Sequence, residues 1–163
     1  MITQEQLKEF FEYKEGGLYW KISPAHRVKI GDRFGAYNKR DRYRTGAVLN
    51  KPYREHRLIY LYHHGYIPSL LDHINGVRDD NRIENLREVT RVQNGQNRGK
   101  HRNNTSGHQG VSLHKPTNKW RVQLNIQGKN KHFGYFEDFE LACLVSDEVK
   151  DKYYGEFVRK DGE

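Results

Sequence analysis

Apolar positions along this chain change their period several times, and each change marks an element. Leu7, Phe10 and Phe11 share one helical face. Thr3-Gln4-Glu5-Gln6 can form a capping box in front of them, with Thr3 as N-cap and Gln6 answering. The pattern predicts a first helix that stops before Gly16-Gly17, then a strand over Leu18-Tyr19-Trp20-Lys21-Ile22. Residues 23–42 are basic and glycine-spotted, which predicts loop with short pieces of strand. Tyr43 to Leu49 and Tyr53 to Glu55 predict a hairpin turning at Asn50-Lys51. A short helix follows from Glu55 to His64, closed by Gly65.

Further on, Leu70 to Ile74 reads as a strand, Asn75 to Glu84 as a polar loop and Asn85 to Val89 as a second strand. Thr90 is placed to N-cap a helix carrying Gln93, Asn94 and Asn97. Strand, loop, strand, helix predicts a compact ββα unit. Arg98 to Gly107 holds no apolar residue and reads as a basic linker that is either solvated or in touch with phosphate.

Beyond it the period becomes two. Trp120, Val122, Leu124 and Ile126 face one way, and Arg121, Gln123 and Asn125 the other, the signature of a half-buried strand. Val111 to His114 and Lys131 to Phe136 predict its neighbours, with a turn at Gln127-Gly128. Asp138 can cap a last helix whose Phe139, Ala142, Cys143, Ser146, Val149 and Tyr153 fall near one side. The class is therefore α+β. The expected organisation is a domain over 1–98 with a strand-rich lead-in, a linker over 99–107, and a small three-stranded sheet with one helix over 108–163.

Composition narrows the chemistry. The 163 residues carry 29 Lys+Arg against 21 Asp+Glu, a net charge of +8, which favours a polyanionic partner. Hydrophobic content is a lean 34%, but aromatic content is 12%, enough to build small cores from few residues. The single Cys143 excludes an internal disulfide and a structural zinc site built on several thiolates, and fits a reducing, intracellular or cytoplasmic setting. The polar, acidic start is unlike a signal peptide, and no apolar run is long enough to span a membrane.

The densest chemistry lies in Leu71-Asp72-His73-Ile74-Asn75-Gly76, Asp80-Asn81-Arg82-Ile83-Glu84-Asn85-Leu86-Arg87 and Gln93-Asn94. A carboxylate beside an imidazole, with carboxamides downstream, can hold one hard metal ion next to a general base. Mg²⁺ prefers oxygen and keeps several waters, so Asp72 and the amide oxygen of Asn94 suit it. His73 is suited to take a proton from water, with activity falling below a pH of about 6.5, its reference value. One tension is visible at once. Neighbours on a strand point to opposite faces, so Asp72 and His73 can meet one phosphate only at an irregular strand end or a strand tip.

His56-Arg57-Leu58-Ile59, Asp72 to Gly76, Asp80 to Arg87, and Gln93-Asn94-Gly95-Gln96-Asn97 resemble the HNH endonuclease family, specifically its phage-type homing enzymes. Gly17-Leu18-Tyr19-Trp20 and Gly31-Asp32-Arg33-Phe34-Gly35 are similar to the lead-in of that group. The resemblance implies a ββα-metal (His-Me finger) fold, His73 as general base, Asn85 as the residue that orients it, and Asp72 and Asn94 as ligands of Mg²⁺ or Mn²⁺. His56 is either a buttress of the site or a buried, hydrogen-bonded histidine. His63 and His64 are expected at a solvated helix end. Arg82 and Arg87 either grip phosphates or form ion pairs, and Asn97 is a further supporting candidate.

Gly110-Val111, Asn118-Lys119-Trp120, and Phe133-Gly134-Tyr135-Phe136 with the helix holding Ala142 and Asp147 resemble the APETALA2-type DNA-binding domain. That resemblance implies a sheet laid in the major groove, which is wide enough for strands. Arg121, Gln123 and Asn125 would make the contact, with Ser112, His114, Lys115, Lys131 and His132 nearby. Arg98, Lys100 and Arg102 of the linker are expected on phosphates. Trp120 is expected in the core. The expected function is hydrolysis of phosphodiester bonds in double-stranded DNA by a site-selective homing or nicking enzyme, acting as monomer or dimer with no obligatory protein partner. The rival expectation is a DNA-binding regulator carrying an inactive HNH module.

Overall fold

The computed structural model describes residues 1–96 and 103–158. The chain divides into two compact units, Met1–Glu88 and Val89–Glu163. Asn97, Arg98, Lys100 and Arg102, named above as candidates, lie outside the described residues.

The first unit begins with α1 (Gln4–Phe10). Its capping box forms as expected: the Thr3 hydroxyl accepts from the Gln6 amide, and the Gln6 side chain accepts from the Thr3 amide. The helix ends well before Gly16. Phe11 is already extended, at φ −128° and ψ 150°, and is fully buried. The reason is legible in Phe11-Glu12-Tyr13-Lys14, where apolar and polar residues alternate with a period of two. This segment is β1 (Phe11–Lys14), and it pairs antiparallel with β2 (Gly17–Trp20).

A second sheet holds β3 (Ala36–Asn38), β4 (Tyr43–Val48) and β5 (Lys51–Arg54), in that order. Leu49 and Asn50 form the β4–β5 turn, at φ 50° and 61°. The turn thus falls one residue earlier than expected, as the two-residue hairpin with both central φ values positive requires. α2 (Glu55–His64) follows at once and ends in Gly65 at φ 82°. It buries Leu58, Ile59, Tyr60 and Leu61 in a core with Leu7, Phe11, Leu18, Trp20, Phe34 and Leu86. The Phe11 ring lies 4.1 Å from Trp20 and meets Phe34 edge-on at 5.6 Å. Aromatic area therefore supplies much of a core that aliphatic residues alone would leave thin. His63 and His64 sit exposed at the helix end, as expected.

A two-stranded ribbon, β6 (Leu71–His73) and β7 (Leu86–Glu88), completes the unit, with one 3₁₀ turn at Ile83–Asn85 between the strands.

The second unit carries α3 (Arg91–Gln96), where the Thr90 hydroxyl accepts from the Gln93 amide and the Gln93 side chain answers. Its sheet has the order β10 (Lys129–Phe136), β9 (Lys119–Ile126), β8 (Val111–His114), all antiparallel. α4 (Phe139–Tyr154), capped by Asp138, packs on it. Val122, Leu124 and Ile126 are buried beneath the helix, and Trp120 stacks 4.6 Å from Phe139. Among the described residues no helix is long and apolar enough to cross a membrane.

Candidate active site

Register on the β6–β7 ribbon decides where the candidate side chains point. Asp72 lies opposite Arg87, and His73 lies opposite Leu86. Residues directly opposite on an antiparallel pair share a face. Asp72 and Arg87 thus share one face, while His73 and Leu86 share the other, and His73 is only 3% exposed. Strand alternation separates carboxylate and imidazole, as the sequence warned. His73 is the last residue of β6. A phosphate therefore meets the two groups together only around the strand tip, and can touch only an edge of the ring.

One side-chain hydrogen bond of the imidazole is with Asn81, whose Oδ1 lies 2.9 Å from His73 Nε2. This corrects the expectation that Asn85 orients His73 directly. Asn85 shapes the loop instead. Its Oδ1 accepts from the Asn75 amide at 3.0 Å, and its Nδ2 donates to Asn75 Oδ1 at 3.0 Å and to the Asp80 carbonyl at 2.7 Å. Its carbonyl also accepts from Ile74 N, next to His73.

Behind Asn81 stands Glu55, the first residue of α2, which has no exposed surface. Asn81 Nδ2 donates to Glu55 Oε2 at 3.1 Å. Arg33 grips the same carboxylate with two bonds, Nε to Oε1 at 3.1 Å and a terminal nitrogen to Oε2 at 2.9 Å. Leu18 N donates to Oε1 at 3.2 Å, and Arg44 Nε lies 3.8 Å from Oε2. Neither Asn81 nor Glu55 stood out in sequence. Asn81 was in view as part of Asp80-Asn81-Arg82, but Glu55 reads only as an acidic residue at a helix start.

His56 is buried and packs edge-on against His73, ring centres 5.2 Å apart. Burial, reinforced by the neighbouring His73 and by Arg54 and Arg57, pushes its imidazole down to about 3. His56 is therefore a neutral neighbour of His73. Burial also lowers His73, against the opposing pull of the Asn81 hydrogen bond and of Asp72. The net shift favours the neutral imidazole.

Tyr43 covers both rings, at 5.0 Å from His56 and 6.2 Å from His73. The guanidinium groups of Arg54 and Arg78 lie over Tyr43, at 4.2 and 5.3 Å from its ring centre. Sequence reading passed over all three.

The candidate metal ligand Asp72 is engaged by Arg87, whose Nε and a terminal nitrogen lie 3.4 and 3.3 Å from Oδ2. Arg87 thus takes the ion-pair alternative. Arg82 does the same with Asp80, at 2.8 and 2.7 Å, and holds that carboxyl down at about 2. Among the described residues no group of three or more His, Cys, Asp or Glu gathers to hold a metal. A lone carboxylate with oxygen donors fits a mostly hydrated Mg²⁺ and does not fit a fully protein-caged ion. Asn94 belongs to α3 of the second unit.

The polar face of the second unit's sheet can be read from its register. Ser112 and Tyr135 flank Arg121, His132 lies opposite Gln123, and Asn130 opposite Asn125. Arg121 donates to Ser112 Oγ at 3.3 Å from two nitrogens. The Tyr135 ring, 45% exposed, lies 4.9 Å from His114 and 4.6 Å from His132. Lys115 is exposed in the following turn. A groove of about 360 Å³ opens here between Asn103, Asn104, Ser112, Arg121, Gln123 and Asn130. Lys131 is a correction. It lies opposite the buried Leu124, hence on the helix side of the sheet, with its ammonium 5.7 Å from the Tyr153 ring. Asn130 was missed, although the two-residue turn at Gln127-Gly128 fixes its register opposite Asn125; Tyr135 comes opposite Arg121 only through a bulge between His132 and Gly134, which shifts the register set by the turn.

Residues 53–96, a span that contains Glu55, His56, Asp72, His73, Asn81, Asn85 and Asn94, match the family described as HNH endonuclease. The chain is also similar to Protein 3.8 of Escherichia phage T7, 28% identical over 108 residues, which cover 65% of this chain and 88% of that protein. No solved structure gives a significant match. The buried imidazole and its carboxamide partner thus lie within an HNH endonuclease domain at residues 53–96.

Proposed function

We propose that this protein is a metal-dependent endonuclease that hydrolyses phosphodiester bonds of double-stranded DNA, as a site-selective homing or nicking enzyme. The observation that carries this reading is the match of residues 53–96 to HNH endonucleases around a neutral, hydrogen-bonded His73. His73 takes the proton from the attacking water. Asn85 keeps the β6–β7 loop in shape. Asp72 is the carboxylate ligand of a Mg²⁺ or Mn²⁺ ion, and motif spacing alone assigns Asn94 as its amide ligand. Such an ion, when bound, neutralises phosphate charge and stabilises the leaving oxygen. Because Arg87 holds Asp72 in the free protein, ligation at Asp72 includes release of that pair.

Arg54 and Arg78 present positive charge over Tyr43, beside the two histidine rings, and are suited to backbone phosphates. The polar face around Arg121, Gln123 and Asn125 holds the target duplex, with Ser112, His114, Lys115 and His132 beside it. Arg and Gln are types that pair with base edges. One active site per chain gives a single-strand nick for a monomer.

A second reading has support of its own. His73 is 3% exposed and Asp72 is paired, as befits a DNA-binding protein that does not cut. A supercoiled-plasmid assay with Mg²⁺ and with chelator separates the two. Wild type should nick only with metal. His73→Ala should lower the rate by about 100-fold or more while DNA affinity stays within about twofold. Equal cleavage by wild type and His73→Ala would remove His73 from the chemistry. No cleavage by wild type, with DNA binding intact, would favour the regulator.

A further inference from the structure

We propose that buried Glu55 is a positioning residue which, through Asn81, holds His73 in the tautomer with its proton on Nε2 and its lone pair on Nδ1. This rests on the reading of His73 as the base, and it deepens that reading by naming the nitrogen that receives the proton.

The chain of bonds has only one consistent direction. Glu55 already accepts from Leu18 N and from two nitrogens of Arg33, so it is an ionised acceptor with no proton to give. The Asn81 atom facing it must then be the donor, Nδ2, at 3.1 Å. An amide has one nitrogen and one oxygen, so Oδ1 is the atom left for His73. An oxygen acceptor 2.9 Å from Nε2 requires the proton to be on Nε2. In a neutral imidazole the remaining lone pair is on Nδ1.

The carboxylate acts at a distance because every link is immobilised. Asn81 is 2% exposed and Glu55 has no exposed surface. Arg33 is tied a second time, by donating to the Gly16 carbonyl at 3.2 Å. An amide flip at Asn81 would set Oδ1 against the carboxylate and Nδ2 against the imidazole, breaking the bond to Glu55.

The test reads the tautomer directly, by ¹⁵N-resolved NMR of the His73 ring in the DNA-free full chain at neutral pH. Wild type should show the protonated nitrogen at Nε2. A proton resident on Nδ1 would overturn the proposal outright, with no variant needed. Glu55→Gln, which can donate or accept, frees the Asn81 amide to turn, so both tautomers should appear. Asn81→Leu removes the acceptor and should do the same, with kcat lower by about tenfold and KM within about twofold. A folded variant of either kind that keeps the wild-type tautomer would overturn the role of the residue it replaces. Because the spectrum needs no DNA, an inactive wild type with its proton on Nε2 would defeat the nuclease reading and leave this one standing.

Discussion

At the scale of single residues, the site depends on keeping one imidazole uncharged. Burial lowers the affinity of His73 for a proton, and the Asn81 bond and Asp72 only partly offset it. A base with a lowered value stays deprotonated further into acid, so the sign is fixed: the acid limb of kcat should have its midpoint below the reference of about 6.5. A pH–rate profile of plasmid nicking under saturating metal checks this, and a midpoint above 7 would contradict the burial seen here. His56, packed edge-on against His73, is itself lowered to about 3, chiefly by burial. Residue roles were unevenly legible in sequence. Asp72, His73 and Asn85 stand out because they sit close together in one motif. Glu55 lies 26 residues from Asn81 and is joined to it only in the folded chain, so local pattern carries no trace of the bond.

At the scale of elements, the β1–β2 hairpin supports the loop between β6 and β7. Its Gly16 has φ 77°, and a Cβ there would stand 2.8 Å from Arg82 N. Backbone passes backbone at this point, and only glycine fits without a shift. Gly16→Ala should therefore destabilise the chain by about 1–3 kcal/mol and should lower kcat by displacing Asn81. Urea unfolding and single-turnover nicking measure the two effects. Unchanged values of both would show that the loop tolerates the shift. Helices and strands were readable from periodicity and caps, which are local: Thr3, Thr90, Asp138 and Gly65 each mark an end within a residue. The exception is Phe11. It suits a helical face as well as a strand, and burial beside Trp20 and Phe34 decides for strand.

At the scale of the whole molecule, charge and division of labour set the expectations. A net charge of +8 makes DNA binding salt-dependent through counterion release. Arg121→Ala with Gln123→Ala should weaken binding to a preferred site by about 2 kcal/mol or more, while the kcat of bound DNA changes little. Arg54→Ala with Arg78→Ala should instead flatten the salt slope by about two units. Fluorescence anisotropy across salt concentrations distinguishes these outcomes. Equal slopes in all variants would mean that neither face meets phosphate. The change of hydrophobic period predicts a boundary over 99–107, whereas the compact units divide between Glu88 and Val89, and pairing between distant strands was not readable. Lys131 was misplaced because its face follows from register opposite Leu124 rather than from its own neighbours.

The dependence of Glu55 on Arg33 and on the Leu18 amide has a practical corollary for protein engineering. Grafting residues 53–96 onto another scaffold would carry the histidine, its amide and the acid, but leave Arg33 and the Leu18 amide behind. The graft would leave Glu55 with the Asn81 amide but without its cationic partner, and the hold on the imidazole would weaken. A minimal unit that keeps the Glu55–Asn81–His73 chain of bonds intact must therefore begin ahead of Gly16, with its hairpin included.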